Sequence, residues 1–380
     1  MKKILTIIGA RPQIIKAAAL SRAIKNKFFR EMEEKILHTG QHYDKNMSEI
    51  FFQEMNIPKP HYNLSIGSGR HGEQTAKMIE GIERVLLMES FDAVVVYGDT
   101  NSTLAGAVAA SKMHIPVVHI EAGLRSFNMA MPEEINRIVC DHLSTLLFAP
   151  TETAINNLEK EGFLGSKAVF ANGQPRYIFN SGDIMYDNSL YFASVSAEKT
   201  DIIKRLCLEN KKYILASVHR DNNTDDPSRL SAIFEALLEI AVKDDMKIVI
   251  PLHPRTRKML EKEDSCSLLK KLEKEDRIIL IPPVSFFEIT QLEKNAKVIM
   301  TDSGGMQKEA YFFRIPCIIL RPETEWTEII ENKAGILTDA DKNRILDAYF
   351  LFDQSKMNYS AVFGNGQAAE FILEKMLEVL

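Results

Sequence analysis

The stretch Val298-Ile299-Met300-Thr301-Asp302-Ser303-Gly304-Gly305-Met306-Gln307-Lys308-Glu309 decides the fold. It reads as a strand, a glycine turn and the first turn of a helix. Ser303, Gly304 and Gly305 fall where backbone N–H groups lack intrahelical partners and the helix dipole is positive. That geometry suits a phosphate, and glycine lets the backbone come close to an anion. Glu309, one turn further on, would repel a phosphate but can accept two ribose hydroxyls. Together these residues fit a nucleotide. An ordinary strand-to-helix turn with a Ser/Gly cap fits the segment equally well, so the rest of the chain must decide.

The same strand–helix alternation extends in both directions. Apolar runs at residues 4–10, 35–39, 93–97, 117–120 and 146–149 are interleaved with helical periodicity, for example over 73–87 and 102–113. A second series of runs lies at 213–218, 247–252, 278–281, 298–300 and 317–320. Continuous apolar strands separated by helices predict parallel sheets covered on both faces. Two such series predict an α/β protein of two Rossmann-like, doubly wound domains. Residues 171–187, with Asn, Gly, Pro, Ser and Asp, read as the connection between them. The expected domains are 1–172 and 173–366, with a closing helix over 367–380 that packs back on the first. Ligands of open α/β sheets bind at the carboxyl ends of the strands. Motifs placed there would face a cleft between the domains.

A chain of 380 residues is too long for one typical core and suits two domains. It is 45% hydrophobic and 26% charged, with a net charge of −5 and a pI near 6.1. No basic stripe points to nucleic acid, and no polybasic cluster points to a membrane surface. The four cysteines, Cys140, Cys207, Cys266 and Cys317, are scattered without a CxxC pair. They read as small hydrophobes of a reducing compartment. The apolar start at residues 4–8 is too short for a signal sequence and runs into Arg11-Pro12. No run approaches the ~18 apolar residues of a membrane span. A cytoplasmic protein is expected.

Most chemistry-bearing motifs follow directly on an apolar run. Gly9-Ala10-Arg11-Pro12-Gln13-Ile14-Ile15-Lys16 follows the first and is not a GxGxxG fingerprint. Pro12 fits the start of a helix. Arg11 and Lys16, about one turn apart, suit a diphosphate; the plainer alternative is two solvated cations flanking a helix start. Asp99, in Tyr97-Gly98-Asp99-Thr100, reads most simply as a helix cap, and so does Asp302. Glu121, in His119-Ile120-Glu121-Ala122-Gly123, ends a strand with no local cap to make. Glu133 and Glu134 open a helix, where acidic residues complement the dipole; Glu134 reads as structural. Asp99, Glu121 and Glu133 can meet at one sheet edge and provide a general acid beside a general base. A metal is the rival use of such a cluster, but no histidine spacing supports it. His219 and Arg220 end another strand, suited to anion binding or proton transfer; His253-Pro254-Arg255 is a weaker copy. Asp339-Ala340-Asp341 is formally a DxD triplet, and helix capping is its simpler role.

Taken as a set, these motifs resemble the non-hydrolysing UDP-N-acetylglucosamine 2-epimerases over essentially the whole chain. The resemblance rests on GARPQIIK (9–16), HTGQH (38–42), YGDTNSTLAG (97–106), HIEAGLRS (119–126), MPEEINR (131–137), His219-Arg220, TDSGGMQKEA (301–310) and FGNGQA (363–368), in that order. It implies a two-domain fold similar to the B-type glycosyltransferases, a sugar nucleotide between the domains, a homodimer, and no metal or other cofactor. It implies that Arg11 and His219, with Lys16 and Arg220 nearby, contact the diphosphate. Ser303, Gly304 and Gly305 would hold phosphate and Glu309 the ribose. Asp99, Glu121 and Glu133 would be the acid/base carboxylates, with His219 assisting. Gln41 and His42 match part of an activator site found in some relatives.

The chain also departs from the family. Gln13 stands where Arg-Pro-Glu is common, and Asp221-Asn222-Asn223 follows His219-Arg220 where HRxEN is common. Gln13, SFN at 126–128, PLHPRTRK at 251–258 and Glu325-Trp326 look closer to a subgroup acting on UDP-2,3-diacetamido-2,3-dideoxy-glucuronate, which serves surface-polysaccharide synthesis. A uronate would call for a further cation, and Arg255 and Arg321 are candidates. The competing expectations are a glycosyltransferase on the same fold and a sugar-nucleotide-binding regulator without turnover.

Overall fold

The structure is a computed structural model that describes residues 1–40, 57–163, 175–354 and 357–380. By its contacts the chain divides into two units, 1–188 with 361–380, and 189–360. The candidate activator residues Gln41 and His42 lie outside the described residues.

The first unit carries a seven-stranded sheet. Its strands are β1 (Lys2–Ile8), β2 (Met32–His38), β3 (Tyr62–Asn63), β4 (Ala93–Tyr97), β5 (Val117–Ile120), β6 (Leu146–Ala149) and β7 (Tyr177–Asn180). They are parallel and ordered β3-β2-β1-β4-β5-β6-β7. The second unit carries a six-stranded parallel sheet of β8 (Tyr213–Ser217), β9 (Lys247–Pro251), β10 (Ile278–Ile281), β11 (Val298–Thr301), β12 (Cys317–Ile319) and β13 (Gly335–Leu337). Its order is β10-β9-β8-β11-β12-β13. Both units are Rossmann-like. The order reverses between β1 and β4 in one and between β8 and β11 in the other, and such switch points are where ligands of these sheets bind.

Burial on both faces explains the unbroken apolar strands. In β8, Ile214 and Ala216 pack into one core with Phe234 and Leu237 of the helix Pro227–Lys243. Tyr213 and Leu215 pack into another with Leu292 and Ala310. In the first unit, Leu5, Ile7, Val94 and Val96 pack under Met78, Ile82, Ala105 and Ala109 of the helices His71–Met88 and Asn101–Lys112.

The boundary expected after residue 172 sits later. Residues 177–180, read as connection, form β7, which pairs with β6 and belongs to the first sheet. The helix Ile184–Lys199 begins within the same expected connection. β7 is a short strand at the sheet edge with no buried residue, so the turn-forming residues around it masked its pattern. The closing helix Ala368–Val379 is grouped with the first unit. The Asp187 carboxylate accepts its first N–H groups, from Ala368 at 3.0 Å and Ala369 at 2.8 Å. Lys27 pairs with Glu370 and Glu374 on its flank.

Candidate active site

In the first unit the candidate residues gather at the switch point. Gln13, fully buried, ties the ends of β1 and β4 together. Its carbonyl accepts from Gly9 N at 2.9 Å and Ala10 N at 3.1 Å, and its amide donates to Tyr97 O and Thr103 Oγ1, both at 3.0 Å. Gln13 is therefore a bracket for the strand ends. Arg11 begins the helix Arg11–Ala23 and is exposed. Lys16, one turn on, pairs with Glu121.

Glu121 follows β5 with φ +74°, a left-handed backbone that costs a non-glycine residue energy. The Lys16–Glu121 pair lies over Gly98, itself at φ +61°. Tyr97 and Ile120 are paired in register, so Asp99 and Glu121 leave adjacent strand ends. Asp99 is not the helix cap: Thr100 caps Asn101–Lys112 by accepting from Thr103 N. The Asp99 carboxylate meets the Arg137 guanidinium, and Asn136 Nδ2 donates to the Asp99 carbonyl at 2.8 Å. Both partners lie on the helix Pro132–Leu143, which begins with Glu133 and Glu134 in its first turn. Glu134 is buried and accepts from Ser126 N at 2.9 Å, Phe127 N at 2.8 Å and Arg137 Nη1 at 2.7 Å. Burial works to raise its pKa, but those donors outweigh it and hold the carboxyl below its usual value. Glu133 is exposed. Asp99 and Glu121 thus follow the ends of neighbouring strands, and Glu133 opens the helix whose Asn136 and Arg137 hold Asp99.

Beneath them lies a buried charge network that the sequence did not reveal. His119 Nδ1 is 2.6 Å from Asp141 Oδ1, and its Nε2 is 2.9 Å from the Gly98 carbonyl. Asp141 Oδ2 accepts from Gly123 N at 3.1 Å and pairs with Arg125 at 2.7 Å. Arg125 also grips Glu161 through two bonds, at 2.6 and 2.7 Å. Burial opposes charge on His119, but the neighbouring Cys140 and Asp141 outweigh it and raise its pKa well above the ordinary value. Burial likewise opposes charge on Asp141, and His119 and Arg125 outweigh it and lower its pKa.

In the second unit the candidates sit at the other switch point. Asp302, fully buried at the end of β11, accepts from His219 N at 3.1 Å, Arg220 N at 3.0 Å and Asn223 Nδ2 at 3.1 Å. His219 Nδ1 lies 3.2 Å from its carboxylate. Asp302 is thus a brace for the loop after β8; the cap of the helix Gly304–Phe312 is Ser303, which accepts from Met306 N. Partial burial lowers the His219 pKa, Asp302 opposes this, and His253 and Arg220 add to it. The departure from HRxEN is at Asn222, which stands where the glutamate is common; Asn223 keeps the pattern's asparagine. Asn223 is buried, bridges Asp302 to the Leu320 carbonyl and accepts from Arg229, whereas Asn222 is exposed. Glu309 is half-buried on the helix Gly304–Phe312 and shares a hydrogen bond with the buried Glu293. Burial and the Glu309 charge push Glu293 well above the usual carboxylate range. The DxD pair is otherwise engaged: Asp339 pairs with Arg229, and Asp341 accepts from Arg344 N at 3.0 Å before the helix Lys342–Gln354. Among the described residues no group of three or more His, Cys, Asp or Glu is placed to hold a metal ion. No helix there is long and apolar enough to cross a membrane.

The profile of the UDP-N-acetylglucosamine 2-epimerase family matches residues 23–377. The chain belongs to that family. This epimerase-family chain is 48% identical over 373 residues to a UDP-N-acetylglucosamine 2-epimerase homolog of Methanococcus maripaludis, covering 98% of each. It is 46% identical over 378 residues to the UDP-2,3-diacetamido-2,3-dideoxy-D-glucuronate 2-epimerase of Pseudomonas aeruginosa, covering 99% of this chain and 100% of the relative. The crystal structure of the Methanocaldococcus jannaschii UDP-GlcNAc 2-epimerase with UDP-GlcNAc and UDP matches with a TM-score of 0.81 at 43% identity, covering 99% of each chain.

Around the expected residues, this family member places side chains that local pattern could not supply: Arg137 on Asp99, Glu293 on Glu309, and the His119–Asp141–Arg125 network. Each partner lies far away in sequence. The signals in hindsight are a histidine inside an apolar strand and charged residues on the inner faces of helices.

Proposed function

We propose that this chain inverts C2 of a UDP-2-acetamido sugar by elimination and re-addition of UDP. The observation that carries the reading is the Lys16–Glu121 pair over Gly98, beside an Arg137-bound Asp99. It provides two differently partnered carboxylates at adjacent strand ends, as a reaction with two proton transfers requires. In the first half-reaction the C2 proton passes to a base as the C1–O bond breaks, and the bond's electron pair leaves with UDP. A bound 2-acetamidoglucal remains. In the second, UDP oxygen adds back at C1 and a proton reaches C2 from the opposite face. Asp99, Glu121 and Glu133 are assigned to the proton transfers. Arg11, Lys16, His219 and Arg220 stabilise departing UDP. Ser303, Gly304 and Gly305 hold phosphate, and Glu309 the ribose.

The relatives at 48% and 46% carry different sugar names, so identity alone does not choose between N-acetylglucosamine and the diacetamido-glucuronate. The subgroup motifs favour the second, and Arg255 or Arg321 would meet its carboxylate. We assign the protein to the cytoplasm as a homodimer that supplies a surface-polysaccharide precursor. Light scattering tests the dimer. Proton NMR in D2O with each UDP-sugar tests the chemistry: deuterium at C2 with a manno product is expected from one of them. UDP binding without exchange from either sugar would defeat the assignment and favour a transferase or a binding protein.

A further inference from the structure

The buried histidine of the HIEAGLRS motif has no role in the chemistry above, yet its surroundings define its state. A carbonyl oxygen only accepts hydrogen bonds, so the contact of Nε2 with Gly98 O at 2.9 Å requires a proton on Nε2. The partner of Nδ1 is Asp141 Oδ1 at 2.6 Å. Asp141 already receives the Arg125 guanidinium at 2.7 Å and the Gly123 N–H at 3.1 Å on its other oxygen, both donors suited to a carboxylate. An ionised Asp141 leaves Nδ1 as the donor. Both ring nitrogens then carry protons. The charges balance locally, with His119 and Arg125 against Asp141 and Glu161.

What this cation holds is more telling than its charge. Its Nε2 fixes the carbonyl of Gly98, the residue before Asp99. His119 itself lies two residues before Glu121 in the same segment. Its partner Asp141 anchors Gly123, which like Glu121 and Gly98 has a left-handed backbone, at φ +79°. One buried group therefore ties the turn bearing Asp99 to the turn bearing Glu121.

We propose that His119 is a positioning residue, a fixed imidazolium that sets the separation of the Asp99 and Glu121 carboxylates by clamping the Gly98 carbonyl between β4 and β5. The role rests on the proposed proton-transfer function of those carboxylates; the charge state of His119 does not. A misplacement of about 1 Å in such a pair costs roughly a hundredfold in rate.

Two measurements test this. Nitrogen-resolved NMR of the intact protein, with His119 assigned by substitution, is expected to show both ring nitrogens protonated at pH 8. A neutral ring would overturn the proposal. His119→Gln keeps an amide donor for Gly98 O but loses the charge and the Asp141 bond. It is expected to lower the rate of C2 exchange by about tenfold to a hundredfold, while UDP affinity by calorimetry changes less than about twofold. Unchanged exchange, or equal losses in exchange and UDP affinity, would overturn the positioning role. If the wild-type protein exchanges C2 of neither sugar, the proposed function fails and the positioning role falls with it, while the NMR result still decides the imidazolium.

Discussion

Lys16 reaches the Glu121 carboxylate across the bare α-carbon of Gly98. A Cβ at Gly98 would stand 3.0 Å from both Glu121 Oε2 and Lys16 Nζ. Those contacts are tighter than van der Waals packing allows, and φ at this residue is +61°. Glycine therefore suits this position twice, for the left-handed backbone and for the close approach of the pair above it. Gly98→Ala is expected to cost about 1–2 kcal/mol from the left-handed backbone alone. It should also lower C2 exchange by at least about tenfold by prising the pair apart. Thermal unfolding and the D2O exchange rate check the two effects separately. A variant that loses stability yet exchanges at the wild-type rate would show that the pair's geometry is not used in the reaction.

Gln13 makes a second prediction. The residue looked like a lost carboxylate, yet it uses both ends of its amide: two backbone N–H groups donate to it, and it donates to Tyr97 O and Thr103 Oγ1. Gln13→Leu would strand the Gly9 and Ala10 N–H groups, each worth about 1–3 kcal/mol when orphaned. A net loss of roughly 2–4 kcal/mol is expected in urea unfolding. Gln13→Glu can still accept the N–H groups but turns a carboxylate towards Tyr97 O, so it should be less stable than wild type above pH 6 and recover in acid. A Gln13→Glu protein more stable than wild type at pH 8 would refute the bracket role.

How far the sequence could be read follows from the range of each interaction. β4, β5 and β6 were legible to the residue, because strands buried on both faces are written as nearly unbroken apolar runs; β10, an edge strand with one buried residue, was legible because all four of its residues are Ile or Leu. β7 and β13 were not: Tyr177–Asn180 and Gly335–Leu337 are short edge strands whose residues are mostly half-exposed. The candidate carboxylates were legible as strand-end residues, but their partners were not. Asp99 read most simply as a cap because nothing local shows that Thr100 takes that role. His119 and Asp141 are separated by 22 residues, and only the crossover from β5 to the next helix brings them together. The same holds for Glu293, whose inward direction is set by the packing of its helix and not by its neighbours in the chain.

Glu34 yields a pH prediction outside the proposed site. Its carboxylate accepts from Thr6 Oγ1 at 2.6 Å and Ser21 Oγ at 2.5 Å. Burial raises its pKa to about 6 from 4.5, with the two hydroxyls opposing. A raised folded-state value means that folding favours the protonated acid. The stabilisation is complete below about pH 4.5 and is lost as pH rises through about 6. Glu34→Gln keeps partners for both hydroxyls without the charge. It is expected to be about 1–2 kcal/mol more stable than wild type at pH 8, with the gain vanishing near pH 4.5. Melting curves at both pH values decide it; a gain equal at both would rule out ionisation as the cause.

The helix Gly304–Phe312 follows the glycine turn at the end of β11. Its N-terminus is not empty ground: a methyl group on Gly304 would run into the Glu325 carboxylate, which is held by Arg321 at 2.9 Å. Trp326, beside Glu325, lies under Lys308 at 4.2 Å and fixes the loop against the same helix. A carboxylate at a helix N-terminus gains the dipole interaction that a phosphate would gain. If the phosphate of UDP docks on Ser303, Gly304 and Gly305, it meets Glu325 as a rival anion. Glu325→Gln removes the rival charge and leaves a side chain of the same size. UDP affinity is expected to rise by about two- to fivefold, the factor that 0.3–1 kcal/mol of dipole interaction represents. The gain should shrink as salt is added, because the repulsion is exposed to solvent. Calorimetric titration with UDP at low and high salt measures both. An unchanged or weaker affinity would mean that the phosphate does not bind at this helix end.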